Sequence, residues 1–153
     1  MNKVYQRNNQ GYVLFNSLVM ELLHKFKQHT GENEAGGILL GCYRDPHIEV
    51  VLATPPGPDD IRKPLSFIRK CASHKREAHN QWKKSGKLIT YIGEWHTHPQ
   101  KIPEPSYTDY RNWIEFLPCS DSIICIQGTE ELWVGENTNN IKKVQTLKII
   151  QND

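Results

Sequence analysis

The feature that most constrains this chain is a strand-like segment that runs directly into a pair of histidines. Residues 88–95 (LITYIGEW) are rich in β-branched and aromatic side chains, which favour strands. His96 and His98 follow without a break, and alternate residues of an extended chain point to the same face. Prolines in the segment 99–105 exclude regular structure immediately afterwards. The sequence therefore predicts two imidazoles side by side where a strand meets an irregular loop.

A carboxylate that can act with these histidines follows a helix-start signal. Ser106 stands three residues before Asp109, which is the spacing of a capping box. Two imidazoles and one carboxylate leave the fourth position of a tetrahedral zinc ion for water, as in catalytic sites. Histidine pairs also occur as ordinary surface or core residues, and the Ser106–Asp109 pair is also a plain helix cap. The cap and the metal interpretation are compatible, because a rigid turn holds a carboxylate in place.

The hydrophobic pattern of the rest of the chain predicts a single α/β domain over residues 1–153, with a mixed sheet flanked by helices. Asn16 is a suitable N-cap for the first helix. The segment 54–64 (TPPGPDDIRKP) is predicted to be an inserted proline-rich loop, and the last three strands to form a meander. The predicted strands cover 11–15, 34–43, 47–53, 65–68, 88–95, 122–127, 131–134 and 141–150, and the predicted helices cover 17–28, 73–84 and 106–116.

Charge and composition narrow the classes of partner. The 153 residues carry 19 Lys plus Arg against 17 Asp plus Glu, a formal net charge of +2. So small an excess does not favour a nucleic-acid or membrane partner. The chain shows no secretory signal and no apolar run of membrane-spanning length. We predict a cytoplasmic protein whose four cysteines are reduced and mostly in the core, namely Cys42, Cys71, Cys119 and Cys125.

The histidine segment also matches a family motif. Residues 96–99 (HTHP), six further residues, Ser106, two residues and Asp109 resemble the JAMM motif of the JAB/MPN (Mov34/PAD-1) zinc metallopeptidases. That family also carries a glutamate directly before a Gly- and Leu-rich strand, and residues 34–41 (EAGGILLG) resemble this feature. The resemblance spans nearly the whole chain and implies one JAB/MPN domain, with an architecture like that of cytidine deaminases.

The resemblance also implies a role for each residue of the motif. His96, His98 and Asp109 hold one catalytic zinc ion. Glu34 is the general acid/base, which takes a proton from water and passes it to the leaving amine. Ser106 is the hydroxyl that stabilises the tetrahedral oxyanion. The implied activity is that of an isopeptidase.

Without the family, both the base and the class of protein stay open. Glu32, Glu94 and Glu104 are alternatives to Glu34. A zinc cytidine deaminase needs HxE and PCxxC, whereas this chain has HTH and the segment PCSDS at residues 118–122. A cysteine protease needs an activated thiol, and no feature singles one out. A non-catalytic interaction module is the remaining alternative, which metal content and peptide-bond cleavage would distinguish from an enzyme.

A wider set of residues is similar to one branch of the family, the small bacterial JAB proteins of antiphage CBASS operons. The matching features are Gly57-Pro58, Phe67, residues 91–99, residues 103–106, Asp109 and Trp113. In those systems an E1/E2-like protein joins the C-terminus of a CD-NTase nucleotidyltransferase to target amines, and the JAB protein removes it. The resemblance implies a protein substrate with an extended C-terminal tail. A deconjugase for a bacterial ubiquitin-like protein is the alternative and shares the same zinc site.

Aromatic residues lie close to the motif in sequence. Trp95, Tyr107 and Trp113 are candidates for substrate binding, with Tyr110 beside them. The alternative interpretation for each is ordinary core or helix packing. The JAB resemblance implies a groove in which a substrate tail adds as a strand beside the sheet. The predicted loop 54–64 is a candidate wall of that groove.

Overall fold

The computed structural model describes residues 2–118, 121–138 and 144–152, and most strands in these ranges form one large sheet. The strands are β1 (Lys3–Gln6), β2 (Tyr12–Phe15), β3 (Gly36–Arg44), β4 (His47–Ala53), β5 (Ile61–Lys63), β6 (Ser66–Ile68), β7 (Thr90–Thr97), β8 (Ser122–Gln127), β9 (Leu132–Asn137), β10 (Val144–Thr146) and β11 (Lys148–Asn152). The large sheet has the order β10-β9-β8-β7-β3-β4-β2-β1-β11, and β5 pairs with β6 in a separate hairpin. The β2–β4 and β7–β8 pairs are parallel and the others antiparallel, so the predicted mixed sheet is confirmed.

Helices cover both faces of this sheet. In the described ranges they are α1 (Ser17–Lys25), α2 (Ser73–Lys84) and α3 (Tyr107–Phe116). Side chains alternate along a strand, and β8 shows the consequence. Ile123 and Cys125 join the core that contains the buried face of α1, whereas Ile124 and Ile126 pack with Trp113 of α3. The helices α1 and α3 therefore lie on opposite faces, and the predicted α/β class is confirmed.

Helix α1 begins as predicted but ends earlier. The side chain of Asn16 accepts a hydrogen bond from the backbone of the first turn, as an N-cap does. The predicted end at Gln28 is wrong, because the helix ends at Lys25. Gln28 instead turns inward, where its buried amide donates to the carbonyls of Glu32 and Pro64. Its polar side chain makes tertiary contacts that hydrophobic periodicity does not reveal.

The two ends of the chain differ most from the predicted strands. Strand β1 has no predicted counterpart, because its polar segment becomes a strand only by pairing with β2 and β11. The predicted meander holds for β8, β9 and β10, but the single strand 141–150 is wrong. Its described part splits at the buried Leu147, so that β10 pairs with β9 at one edge and β11 with β1 at the other. Residues 141–143 lie outside the described residues.

The proline-rich segment 54–64 is a loop for most of its length, as predicted, but its last part forms β5. Hydrogen bonds to one buried side chain close the loop. The carboxylate of Asp60 accepts bonds from three backbone N–H groups and lies 2.6 Å from Nε2 of His74. The loop is therefore tied down, and it delivers the β5–β6 hairpin to a fixed place beside the sheet.

The described cysteines are buried and unpaired. Cys42, Cys71 and Cys125 are free thiols in the interior, as predicted, and Cys119 lies outside the described residues. Within the described ranges, no helix has both the length and the apolar character needed to cross a membrane.

Candidate metal centre

Strand β7 carries both histidines to its end near the centre of the sheet. It lies between β3 and β8 and continues to Thr97, two residues beyond the predicted end. His96 pairs with Gly36 of β3, and the N–H of His98 donates to the carbonyl of Gln127 at 3.1 Å. The backbone around both histidines is thus fixed by neighbouring strands. The two imidazoles are nearly buried, and their Nε2 atoms lie 3.3 Å apart.

The start of α3 brings a carboxylate to these nitrogens. Ser106 Oγ accepts a hydrogen bond from the N–H of Asp109 at 3.1 Å, and Asp109 Oδ2 accepts one from the N–H of Ser106 at 2.8 Å. This reciprocal pair is the predicted capping box. It orients the carboxylate so that Oδ1 lies 3.2 Å from Nε2 of His96 and Oδ2 lies 3.2 Å from Nε2 of His98.

The potential ligand atoms of these three residues converge. The two nitrogens are 3.3 Å apart, and each lies 3.2 Å from a different oxygen of Asp109, His96 from Oδ1 and His98 from Oδ2. A tetrahedral zinc site with bonds of about 2.0–2.1 Å has edges of roughly 3.3–3.4 Å. Imidazole nitrogens and a carboxylate oxygen are also ligands that zinc accepts, and three of them leave one position open. The residues present therefore fit a tetrahedral metal ion.

Glu34 reaches the same place from a distant part of the chain. Its N–H donates to the carbonyl of Lys63, and Nε of Arg62 donates to its carbonyl, both at 2.8 Å. Strand β5 thereby holds its backbone just before β3 begins. The side chain is buried, and a carboxylate oxygen lies within 4.8 Å of a ring nitrogen of both His96 and His98. The tertiary structure thus places a second carboxylate beside the two histidines.

The two carboxylates of the site have pKa values shifted in opposite directions. Burial raises the pKa of Glu34 to about 7, against the lowering effect of the nearby histidines. Burial also disfavours the charged form of Asp109, but hydrogen bonds and charges from His96 and His98 outweigh it and lower its pKa well below the ordinary value. Opposed shifts of this kind distinguish a proton carrier from a permanent anion. The surroundings therefore favour the charged form of Asp109 and disfavour that of Glu34.

The other glutamates named from the sequence have different surroundings. The carboxylate of Glu32 accepts a hydrogen bond from the N–H of His29, and Glu104 is exposed. Glu94 accepts two hydrogen bonds from the guanidinium of Arg69, at 2.9 and 3.2 Å. The described structure therefore groups Glu34, and not these three, with both histidines.

A groove leads away from the metal centre between the β5–β6 hairpin and α3. Glu34, His96 and Asp109 lie along it, as do Arg69 and Glu94. Its walls are apolar, with three side chains from the hairpin region and three from the end of α3 or just beyond, namely Leu65, Phe67, Ile68, Trp113, Phe116 and Leu117. The groove therefore brings candidate metal ligands together with apolar side chains from both of these elements.

The three aromatic candidates for substrate binding lie in different environments. Trp95 packs in the core, where its Nε1 donates to the carbonyl of Thr54, and it also lies on the lining of the groove. Tyr107 is 78% exposed at the start of α3. Trp113 lines the groove and stacks on Trp133 with ring centroids 5.7 Å apart. Trp95 and Trp113 therefore both combine a fixed position with a place on the groove lining, whereas Tyr107 is not among the lining residues.

Some groove residues were not predicted from the sequence, although the spacing of the residues that follow Asp109 gave a signal for those on α3. Residues three, four and seven positions after Asp109 share its face of a helix. This spacing identifies Asn112 and Phe116, which line the groove together with Trp113, the candidate already named from the sequence. The hairpin residues carry no comparable signal, because their position depends on the pairing of β5 with β6.

Sequence comparison identifies similar proteins across most of the chain. A protein from Escherichia coli (strain TW11681) named CD-NTase/cGAS isopeptidase is 33% identical over 135 residues, covering 87% of this chain and 86% of that protein. One of the same name from Vibrio cholerae is 30% identical, covering 88% and 89%. A probable metalloprotease from Sinorhizobium fredii is 34% identical over 61% of this chain and 58% of its own length.

Solved structures of other proteins share the fold of this chain. A solved protein of Desulfitobacterium hafniense superposes with a TM-score of 0.59 at 19% identity, covering 86% of this chain and 87% of that one. A Salinibacter ruber protein gives a TM-score of 0.58 at 16% identity, covering 91% of each chain. At such low identity these matches show the fold alone.

The family described as prokaryotic homologs of the JAB domain matches residues 17–136. The chain therefore belongs to the family of prokaryotic JAB-domain homologs, as its motif predicted.

Proposed function

We propose that this protein is a zinc-dependent isopeptidase, which hydrolyses the amide bond after the C-terminus of a conjugated protein. The observation that carries the proposal is the convergence of potential ligand atoms from His96, His98 and Asp109, with Glu34 beside the two histidines and on the lining of the same groove. Membership of the JAB family supports the reaction class, as do relatives named isopeptidase and probable metalloprotease.

In this proposal each polar residue of the site has a separate task. His96, His98 and Asp109 hold the zinc ion. When bound there, zinc lowers the pKa of water to about 7 and polarises a carbonyl oxygen. Glu34 takes the proton of the attacking water and gives it to the leaving amine.

Ser106 is the proposed donor to the oxyanion that forms on the attacked carbonyl. Its Oγ acts as an acceptor within the helix cap, so the hydroxyl proton remains available to donate. The same capping box ties it to Asp109, which contacts both histidines. A single donor to such an oxyanion contributes about 3–4 kcal/mol to transition-state stabilisation.

We propose that the substrate is a CD-NTase joined through its C-terminus to other proteins, in the cytoplasm of a bacterium with a CBASS system. An E1/E2-like protein would make the conjugate, and this enzyme would remove it. The names of the E. coli and V. cholerae relatives support this substrate class. The groove between the β5–β6 hairpin and α3 can take an extended tail by main-chain pairing and apolar contacts. A ubiquitin-like conjugate is the alternative substrate for the same zinc chemistry.

The test uses three substrates and two forms of the enzyme. A reporter is fused to the intact C-terminus of a CD-NTase, to ubiquitin, and to an unfolded casein-like chain. Zinc-loaded wild type should cut the first at its junction and leave the others intact, and Glu34→Gln should cut none. Equal cleavage of all three would contradict the substrate proposal, and preference for ubiquitin would favour the alternative. A protein that neither binds zinc nor cleaves would be an interaction module.

A further inference from the structure

Thr97 stands between the two histidines but faces the other side of the sheet. Because alternate residues of a strand point in opposite directions, its side chain enters the interior behind the metal centre, where it is fully buried. Its Oγ1 accepts a hydrogen bond from the N–H of Ala35 and donates one to Oε1 of Gln28, both at 3.0 Å. The N–H of Thr97 also donates to the carbonyl of Ala35 at 3.0 Å. Thr97 thus ties the histidine strand to the residue that follows Glu34.

Gln28 extends this connection to two further segments. Its side chain is buried just beyond the end of α1. Its Nε2 donates to the carbonyls of Glu32 and Pro64, both at 2.9 Å, while Oε1 accepts from Thr97. One amide therefore joins the segment before Glu34, the turn of the β5–β6 hairpin and the histidine strand. Its donors and acceptor are all used, so an apolar side chain cannot replace it without leaving buried partners unpaired.

We propose that Gln28 and Thr97 are positioning residues, which hold Glu34 at its working distance from the histidines without contacting metal or substrate. The inference rests on the proposed function. The peptide of Glu34 is held by β5 on one side, and the next N–H by Thr97 on the other. A displacement of this peptide moves the attached carboxylate, and proton transfer requires hydrogen-bond geometry. Misplacement by about 1 Å can lower a rate about a hundredfold.

A purely structural role for the same hydrogen bonds makes a different prediction. In that case their loss lowers the melting temperature and leaves the rate constant of the folded enzyme unchanged. A positioning role lowers kcat in protein that is still folded and still holds zinc. Substrate affinity should change little, because neither side chain lines the groove.

Two pairs of variants separate these roles. Thr97→Val removes the hydroxyl with little change of shape, and Thr97→Ser keeps it. Gln28→Met removes the amide. Its control is Asn16→Ala, which removes the capping amide at the start of α1. We expect Thr97→Val and Gln28→Met to bind one zinc ion, to keep KM within about twofold, and to lose kcat about tenfold or more. Thr97→Ser should recover most of the rate, and Asn16→Ala should melt earlier with unchanged kcat.

A second measurement does not depend on activity. Amide hydrogen exchange of Glu34 and Ala35 should become faster in zinc-loaded Gln28→Met, although Gln28 contacts neither amide, and should not change in Asn16→Ala. Unchanged exchange in Gln28→Met would overturn the inference, as would wild-type kcat in Thr97→Val. If wild type itself cleaves no substrate, the proposed function fails, and the exchange measurement still decides whether this network fixes the Glu34 peptide.

Discussion

Asp109 and Glu34 carry the same functional group but lie in different environments. Asp109 accepts a hydrogen bond from the N–H of Ser106 and contacts two imidazoles, which stabilise its charge. Glu34 is buried near the same imidazoles, yet burial dominates and raises its pKa to about 7. The surroundings, and not the residue type, therefore shift the pKa values of the two carboxyl groups in opposite directions.

The first prediction concerns the metal ligands. Asp109→Ala or His96→Ala should lose most of the bound metal, because the two proposed ligands that remain hold zinc poorly without the third. Metal content per chain, measured by plasma mass spectrometry after gel filtration, checks this. Glu94→Ala is the matched control. Glu94 lies on the same strand as the histidines, but its carboxylate pairs with Arg69, so this substitution should leave the metal in place. Full metal retention in both ligand variants would show that the assignment is wrong.

The second prediction separates metal binding from proton transfer. Glu34→Gln should keep the metal and the fold but lose cleavage by on the order of a hundredfold or more, because the amide cannot carry a proton at neutral pH. The measurement pairs the cleavage rate with metal content for the same preparation. Glu32→Gln is the control, because the Glu32 side chain bonds to the N–H of His29 and should leave the rate unchanged. An active Glu34→Gln enzyme would exclude the assigned role.

At the scale of single elements, the start of α3 serves structure and chemistry together. Its capping box satisfies backbone N–H groups of the first turn and aims Asp109 at the histidines. The same helix then turns Trp113 and Phe116 into the groove. The β5–β6 hairpin has a similar double role on the other side of the groove. It holds the backbone of Glu34 and forms the wall that faces α3. Two short elements therefore set both the reactive groups and access to them.

The third prediction tests Ser106 with two substitutions that affect the cap differently. Replacing a capping serine by alanine costs about 0.5–2 kcal/mol of stability, whereas glycine costs only a few tenths. If the hydroxyl donates to the oxyanion, Ser106→Gly and Ser106→Ala should lose similar rate, on the order of a hundredfold. Melting curves and cleavage rates of both variants provide the comparison. A rate that follows stability, with Ser106→Gly close to wild type, would reduce Ser106 to a helix cap.

The fourth prediction concerns Asp60 and the loop that it closes. Burial raises its pKa, but hydrogen bonds from backbone N–H groups and from His74 outweigh this and lower it below the ordinary 3.8. The ionised form therefore stabilises the fold above about pH 4, and this contribution is lost as pH falls through the lower folded pKa. Asp60→Asn should lose about 1–3 kcal/mol at pH 7.

Urea unfolding of wild type and Asp60→Asn at pH 7 and pH 3 measures this contribution. The gap between the two proteins should be largest at pH 7 and smaller at pH 3, because only wild type has the carboxylate to protonate. Asp45→Asn is the control, since Asp45 is exposed in the β3–β4 turn. A gap that stays constant with pH would show that the charge of Asp60 does not contribute.

At the scale of the whole molecule, the candidate metal centre lies where β7 ends, beside two apolar clusters. The large sheet has apolar side chains on both faces, with α1 against one face and α3 against the other. The histidines are at the end of β7, so their ligand atoms lie beside these cores and not within them. The fold should therefore form before the metal binds.

The fifth prediction follows from this separation. Removing the metal with a chelator should abolish cleavage but preserve the far-ultraviolet circular dichroism spectrum. Loss of a ligand present at a hundred times its Kd removes about 2.7 kcal/mol of stability. At about 2–4 °C per kcal/mol for a chain of this size, the melting temperature should fall by roughly 5–10 °C. Added zinc should restore both rate and melting temperature, and unfolding on chelation would contradict the prediction.

Local patterns were sufficient for the central elements of the fold. Strand β4 and helix α2 have the predicted bounds, and the Ser106 cap was identified from its spacing. The misplaced elements are those whose form depends on distant partners. Gln28 leaves the helix to bond with Thr97 and Pro64, and the C-terminal strand divides between the two edges of the sheet. Such contacts leave no mark on the periodicity of the segment itself.

The sequence by itself determined which groups are available for chemistry, because the spacing of His96, His98, Ser106 and Asp109 is local and matches a family motif. The prediction that Glu34 is the general acid/base depended on that resemblance, because nothing in the neighbouring sequence distinguishes Glu34 from Glu32. Only the tertiary structure decided that Glu34 lies beside the histidines, because antiparallel pairing of β3 with β7 sets Gly36 opposite His96. The tertiary structure also creates the groove, because side chains of the β5–β6 hairpin and of α3 line it together. Both depend on residues distant in sequence, whose proximity is produced by strand pairing and burial.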